Sequence, residues 1–329
     1  MLRMGVVGVG IGGAHGANIH ASKLGQLVGV CDRDPEKLKW RVETYAKELN
    51  LVTKGYTDLA EMIAKEKLDG LVISTPSGVH HQQAVLAAKA GVNILVDKPL
   101  DITREHMADI EKAVKGSGVL CGVNYGMHFQ GSYWGVKQAI KKGLFGKLLM
   151  VDVRLKWFRD QAYYDKGGWR GTWAMDGGGS LMNQGTHPVN LLVWLAGARP
   201  VKVRGDFAVL NHKIETEDWA AGIVEFENGV RSCITTTTNA FPKNDRIAFD
   251  VHGTLGSTYL VNGEIVETNI EALRTPEKAP SPDAVIDFMK AVQEKRQPEV
   301  DVVEGRRSVE LSLAVYDSAR SGKTIELHN

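Results

Sequence analysis

Several things are scarce in this chain, and each scarcity narrows what it can be. Its 329 residues hold only three cysteines, Cys31, Cys121 and Cys233, odd in number and far apart. That excludes a disulfide framework and a thiolate zinc site, implies no metal, and makes a reducing cytoplasm the expected setting. Charge of one sign is missing too, with 40 Lys+Arg against 39 Asp+Glu for a formal net charge of +1. No broad field draws such a chain to nucleic acid or to an anionic membrane, so any partner must be recognised at a local site. No apolar run approaches the roughly 18 residues of a membrane span. The opening MLRMGVVGVGIGG also lacks the basic start, long apolar core and cleavage signal of a secretory peptide.

Glycine, by contrast, is plentiful. The 36 glycines make up about 11% of the chain against a usual roughly 7%, yet 43% hydrophobic and 24% charged residues are ordinary for a folded protein. Disorder and a collagen-like repeat are therefore excluded. The excess is local, with eight glycines from Gly5 to Gly29 and seven from Gly167 to Gly185. At roughly 150 residues per domain, the length suggests two domains.

Up to residue 123, short apolar runs at 4–9, 27–31, 70–74, 92–96 and 119–123 alternate with helical stretches at 35–49, 79–90 and 103–115. Nearly continuous apolar strands separated by helices are the mark of a parallel sheet buried on both faces. Beyond residue 124 the rhythm changes. A helix near 132–142 precedes longer strand-like segments at 148–158, 201–209, 219–226, 230–238 and 246–251, with Asn228-Gly229 as a hairpin turn and helices near 283–295 and 304–321. The expected fold class is α/β, with a Rossmann-type doubly wound parallel sheet in residues 1–123. A C-terminal α+β domain with a large, mostly antiparallel sheet is expected in residues 124–329.

The strongest local signal is Gly8-Val9-Gly10-Ile11-Gly12-Gly13, which supplies G-x-G-x-x-G through Gly8, Gly10 and Gly13. It follows a strand, precedes a helix, and is trailed by Asp32 at the end of the next strand. A dinucleotide needs that context: a tight turn, close backbone approach to the pyrophosphate, and a helix N-terminus facing its negative charge. The segment from Gly8 to Gly13, with Ile11 and Gly12 inside it, is therefore a candidate cofactor site. Asp32 can accept from both ribose hydroxyls and repels a 2′-phosphate, favouring NAD. Arg33 beside it, able to pair with a phosphate or stack on adenine, leaves NADP open.

Further motifs follow in order: Ser74-Thr75-Pro76-Ser77-Gly78-Val79-His80, Asp97-Lys98-Pro99, Gly122-Val123-Asn124-Tyr125, and Gly177-Gly178-Gly179 ahead of Asn183-Gln184-Gly185-Thr186-His187. Together with the glycine motif they span essentially the whole chain, which resembles the glucose-fructose oxidoreductase / inositol dehydrogenase / MocA-like oxidoreductases. The resemblance implies a nucleotide-binding domain followed by an α/β domain whose open sheet mediates assembly, here as a homodimer or homotetramer. It also implies cofactor contacts at Thr75, Pro76, His80, Asp97, Lys98 and Asn124. Lys98 stands in the family's Glu-Lys-Pro motif, with Asp97 in place of Glu, and its ammonium would reach the nicotinamide ribose and the reacting hydroxyl.

The second glycine cluster leads to the other half of the chemistry. If residues from Ser180 onward are helical, Asn183, His187 and Asn190 fall at i, i+4 and i+7 on one face. Pro188 removes a helical hydrogen bond, so the helix either kinks there or begins near it. By resemblance, His187 takes the hydroxyl proton as hydride leaves the same carbon. Inositol-oxidising relatives place Asp at the positions of Asn183 and Asn190. An amide orients a sugar hydroxyl without adding charge, so both are expected to bind substrate. Trp157, Arg159, Tyr163, Tyr164, Trp169, Arg170 and Trp173 supply aromatic faces and forked donors suited to a sugar or polyol, with Tyr163 and Arg170 the preferred pocket residues. Tyr125 and His128 are further candidates.

These readings converge on reversible hydride transfer between NAD(P) and a secondary alcohol or ketone of a sugar, sugar derivative or inositol, with Lys98 and His187 as the catalytic residues. Two alternatives remain at this stage: a glycosidase using NAD for transient oxidation, and a sugar- or nucleotide-sensing regulator without catalysis.

Overall fold

The computed structural model describes residues 1–328. The chain divides into two compact units, one formed by Met1–Tyr125 with Ser281–Gly305, the other by Gly126–Pro280 with the chain from Arg306 on. In the first unit six strands, β1 (Leu2–Val7), β2 (Gly25–Cys31), β3 (Lys54–Tyr56), β4 (Gly70–Ile73), β5 (Asn93–Asp97) and β6 (Cys121–Asn124), form one sheet in the order β3-β2-β1-β4-β5-β6. Every neighbouring pair is parallel. The chain thus winds outward from β1 in both directions, and the carboxyl ends of β1 and β4 meet where the winding reverses, the place at which open α/β sheets take their ligands.

Local chemistry sets the crossover helices α1 (Gly12–Ser22), α2 (Pro35–Leu49), α3 (Leu59–Glu66), α4 (His80–Lys89) and α5 (Arg104–Ser117). Asp34, Asp58 and Thr103 cap α2, α3 and α5 through their side-chain oxygens, and Pro35 occupies a first-turn position where its missing N–H costs nothing. The core gathers Met4, Val6, Ile19, Leu27, Val30, Val72 and Leu95 with Val285, Phe288 and Met289. Those last three belong to the helix Ala284–Glu294. A single cut after residue 123 leaves that helix with the C-terminal domain; its apolar face instead completes the core of the first unit.

The second unit carries α6 (Tyr133–Lys141), β7 (Leu148–Lys156), α7 (Gln161–Asp165), α8 (Thr186–Ala196), β8 (Pro200–Ala208), β9 (Trp219–Phe226), β10 (Arg231–Thr237), β11 (Arg246–Gly253), β12 (Ser257–Val261), β13 (Glu264–Thr268) and, after the helices α9 (Ala284–Glu294) and α10 (Val302–Ser321), β14 (Ile325–Glu326). Its eight strands run in the order β13-β12-β11-β7-β10-β9-β8-β14, antiparallel except for β7 with β10. Buried and less buried positions alternate along β9 and β10, so one sheet face is covered and the other open. The turn between them closes at Gly229, with φ of 86°, as Asn-Gly predicts. Among the described residues no helix is long and apolar enough to cross a membrane.

Candidate active site

In the first unit the glycine turn is shaped as a cradle. Gly8 has φ of 89°, and a methyl on it would collide with the Ser74 carbonyl at the end of β4. A methyl on Gly10 would meet nothing within 4 Å, so the backbone there is open to a close-approaching group. Gly12, rather than Gly13, lets α1 press on the sheet, since its missing methyl faces Val6 and Ser74. The space over Gly13 holds the Arg41 guanidinium, whose Nε donates to the Val9 carbonyl at 3.1 Å. Asp32 stays half-buried, its two oxygens accepting the Val9 and Asp34 amides at 3.0 Å each. Each oxygen retains acceptor capacity for a ribose hydroxyl. An open backbone, a helix start and this carboxylate fit a dinucleotide. Arg33 is exposed.

At the carboxyl edge of β4, β5 and β6 a polar knot surrounds Asp97. Its carboxylate accepts from Asn124 Nδ2 at 2.6 Å, from Ser74 Oγ, and from His15 Nε2 at 3.0 Å. Burial alone would raise the Asp97 pKa, but the His15 bond and charge with the Ser74 and Asn124 bonds bring it down to about 2. Burial lowers the His15 pKa and the Asp97 partnership more than restores it, leaving it raised. Asp97 and Asn124, expected to touch cofactor, thus spend hydrogen bonds on the knot. Its effect is to tie the start of α1 to the residue that precedes Lys98. Lys98 and Thr75 keep partial exposure, whereas His80 is 1% exposed and sets its ring nitrogens against the Thr75 and Pro99 carbonyls at 2.9 and 3.0 Å. His80 therefore clamps the two loops that carry Thr75-Pro76 and Lys98 and offers a ligand no ring nitrogen.

In the second unit the segment after Gly177–Gly179 is a π-turn, Ser180–Gln184, and α8 begins only at Thr186. Pro188 sits in its first turn, where no N–H is missed. Asn183 and His187 accordingly do not share a helix. From Asp176 to Ala196 every residue is buried except His187. His187 opens into a cavity of about 560 Å³ walled by Met127, Gln130, Trp157, Asn244, Asp245 and Glu264 among others.

The other expected substrate residues divide. Asn183 is 9% exposed and its amide donates to Asp176, a buried carboxylate that also accepts the Gly171 amide at 2.9 Å. Asn190 has no exposed surface; it accepts from His128 Nε2 at 2.7 Å and donates to Ser308 Oγ at 3.4 Å, so its amide serves the interior, correcting the substrate-contact reading. Burial holds His128 down to about 3, against the pull of its Asn190 bond, and keeps the ring neutral. Tyr163 and Arg170 lie outside the His187 cavity. They stack on each other at 4.9 Å, and the Tyr163 hydroxyl accepts from Gln184 Nε2 at 2.8 Å.

Sequence reasoning left His15, Arg41, Asp176, Glu217 and Tyr316 without roles. Only His15 carried a local signal, an imidazole two residues beyond the glycine motif.

Residues 2–125 match the family described as oxidoreductase family, NAD-binding Rossmann fold, and residues 133–259 match the GFO/IDH/MocA C-terminal domain. The WlbA dehydrogenase from Bordetella pertussis, solved in complex with NADH and UDP-GlcNAcA, is 32% identical with a TM-score of 0.89, covering 100% of this chain and 99% of that one. The WlbA dehydrogenase from Chromobacterium violaceum, solved with the same two ligands, is 30% identical with a TM-score of 0.89 over 99% and 96% of the two chains. The scyllo-inositol 2-dehydrogenase (NAD(+)) of Bacillus subtilis is 27% identical over 99% of this chain and 96% of its own length.

Proposed function

Because the chain belongs to the GFO/IDH/MocA family of NAD-binding oxidoreductases, we propose that it oxidises a secondary alcohol of a sugar or sugar derivative to the ketone, and runs in reverse. The observation that carries this reading is His187, the one residue of a buried run of the chain to open into a cavity. Bound NAD supplies the hydride acceptor. The glycine turn would hold the pyrophosphate on open backbone at Gly10, and Asp32 would accept from the ribose hydroxyls. By the family resemblance, Lys98 would donate to the nicotinamide ribose and to the reacting hydroxyl. His187 would take the proton of the reacting hydroxyl, while the hydride from the same carbon would go to the nicotinamide, so that the alcohol gives ketone, reduced nicotinamide and one proton. Asn183, steadied by Asp176, orients a neighbouring hydroxyl, and the Trp157 face covers the apolar side of the ring.

The two solved relatives at 32% and 30% identity hold UDP-GlcNAcA, a nucleotide-linked sugar, which makes that class the first to offer, ahead of free sugars and inositols. The setting proposed is the cytoplasm and the assembly a homodimer or homotetramer paired through the open sheet face. A panel of nucleotide sugars, free sugars and inositols, read as reduced nicotinamide with NAD and NADP in parallel, tests the assignment. Turnover with one class under NAD is expected; no reduction with any member by a protein that binds NADH would overturn it.

A further inference from the structure

The π-turn ahead of His187 has its backbone donors served from far away in sequence. Four consecutive amides find acceptors on two residues. Gly179 N donates to Glu217 Oε2 at 2.9 Å, Ser180 N to the Glu217 carbonyl at 2.9 Å, Leu181 N to Glu217 Oε1 at 2.7 Å, and Met182 N to the Tyr316 hydroxyl at 3.2 Å. That hydroxyl in turn donates to Glu217 Oε1 at 2.9 Å. Helical starts leave their first N–H groups without internal partners, and a local Ser or Asp ordinarily serves one or two of them. Here the carboxylate and the backbone carbonyl of one buried glutamate, with one buried phenol, serve all four.

The glycine triplet follows from this cap. A methyl on Gly179 would collide with the Glu217 carbonyl oxygen, and one on Gly178 with the Tyr316 hydroxyl. Only a backbone stripped of side chains lets the cap come this close.

The surroundings do not neutralise the carboxylate. Tyr316 faces it from α10, with Arg320 lying over that ring at 5.8 Å; Asp176 lies before the turn and Tyr164 on α7. Asp218, next in the chain, turns its oxygens to the amides of Leu210, Asn211 and His212 and to the His212 ring. No cation pairs with Glu217 among the described residues. Burial therefore pushes its pKa up to about 7, against the opposing pull of the Leu181, Gly179 and Tyr316 hydrogen bonds.

We propose that Glu217, assisted by Tyr316, is a positioning residue: its ionised carboxylate holds the Gly177–Gln184 turn and so aims Asn183 and His187 without touching substrate. The proposal rests on the hydride-transfer reading for what is aimed, and on the cap alone for how. Two measurements on the full-length protein separate these. Hydrogen exchange at amides 179–182 of the unaltered protein, corrected for intrinsic rate and read relative to core amides of the same unit so that the pH dependence of global unfolding cancels, is expected to slow about tenfold as the carboxylate ionises. In Glu217→Gln that pH dependence disappears, because an amide side chain presents one acceptor oxygen and no charge.

Turnover of Glu217→Gln on the panel's best sugar should fall about ten- to a hundredfold with KM within about threefold, the signature of misaimed groups rather than lost binding. Tyr316→Phe should fall by about threefold and serves if the first variant does not fold. Exchange at these four amides that does not vary with pH, or a folded Glu217→Gln protein with unchanged kcat, would overturn the proposal. If no sugar is oxidised, the hydride-transfer reading fails while the exchange measurement still decides the cap.

Discussion

The two glycine-rich turns differ in where their backbone donors go. At Gly8–Gly13 the chain bends over the end of β4 and leaves Gly10 facing open space. At Gly177–Gly179 the chain bends around Glu217 and Tyr316, which consume the amides that follow. Glycine in the first turn keeps a surface free for a ligand. In the second it lets two interior side chains come close, and the product of the turn is the placement of the imidazole on α8. Glycine enrichment therefore marks close approach, and the identity of what approaches has to come from the surroundings.

Four experiments break or sharpen that contrast. The largest effect is expected from removing what the second turn displays: His187→Ala should lower turnover by about 10²–10⁴-fold with NADH affinity unchanged, since a general base contributes on that scale. Steady-state rates beside NADH fluorescence titration check it. Next, Gly8→Ala and Gly179→Ala each force a methyl into backbone and should each cost about 3 kcal/mol or more in denaturant unfolding. Gly179→Ala leaves the dinucleotide cradle unaltered, so its folded fraction should still bind NADH.

Third, the half-buried Asp97 of the first unit and the buried Glu217 of the second should give opposite pH dependences. Asp97 lies below its ordinary value, at about 2, so its contribution is present above about 4 and lost as pH falls toward 2. Glu217 lies above its ordinary 4.5, at about 7, so its contribution is present below 4.5 and lost as pH rises through 7. These amount to about 2 kcal/mol for Asp97 and about 3 kcal/mol for Glu217, read as the change in unfolding midpoint with pH, and Asp97→Asn and Glu217→Gln should each flatten one limb only. The smallest effect is the most selective: Gly10→Ala should leave stability within about 0.5 kcal/mol, since its methyl meets no protein atom, while weakening NADH about tenfold.

What the sequence disclosed follows from how local each signal is. The parallel sheet was legible because most of its strands are apolar runs between helices, three of them side-chain capped, and the glycine cradle because strand, turn, helix and Asp32 lie within about thirty residues. β3, with the sequence Lys-Gly-Tyr, carries no apolar run and is a strand only because β2 lies beside it. That Gly12 is the glycine on which α1 presses against the sheet depends on the depth at which the helix meets Val6, which spacing does not carry. Likewise Asn190 keeps helical spacing from His187, but a π-turn breaks the phase with Asn183 and packing against His128 takes Asn190 inward. The Glu217 cap joins residues up to 134 positions apart, beyond the reach of any window along the chain.

The return of Ala284–Glu294 to the first core bears on how the protein is made. Val285, Phe288 and Met289 fill space between Met4, Leu27 and Val72 that nothing in the first 125 residues occupies. During synthesis the nucleotide-binding sheet therefore waits, incompletely packed, while about 160 intervening residues are translated, several seconds or more at ordinary rates. Cutting the gene at residue 125 would not yield a free-standing dinucleotide-binding module. Joining Met1–Tyr125 to Ser281–Gly305 through a short linker is the economical way to obtain one.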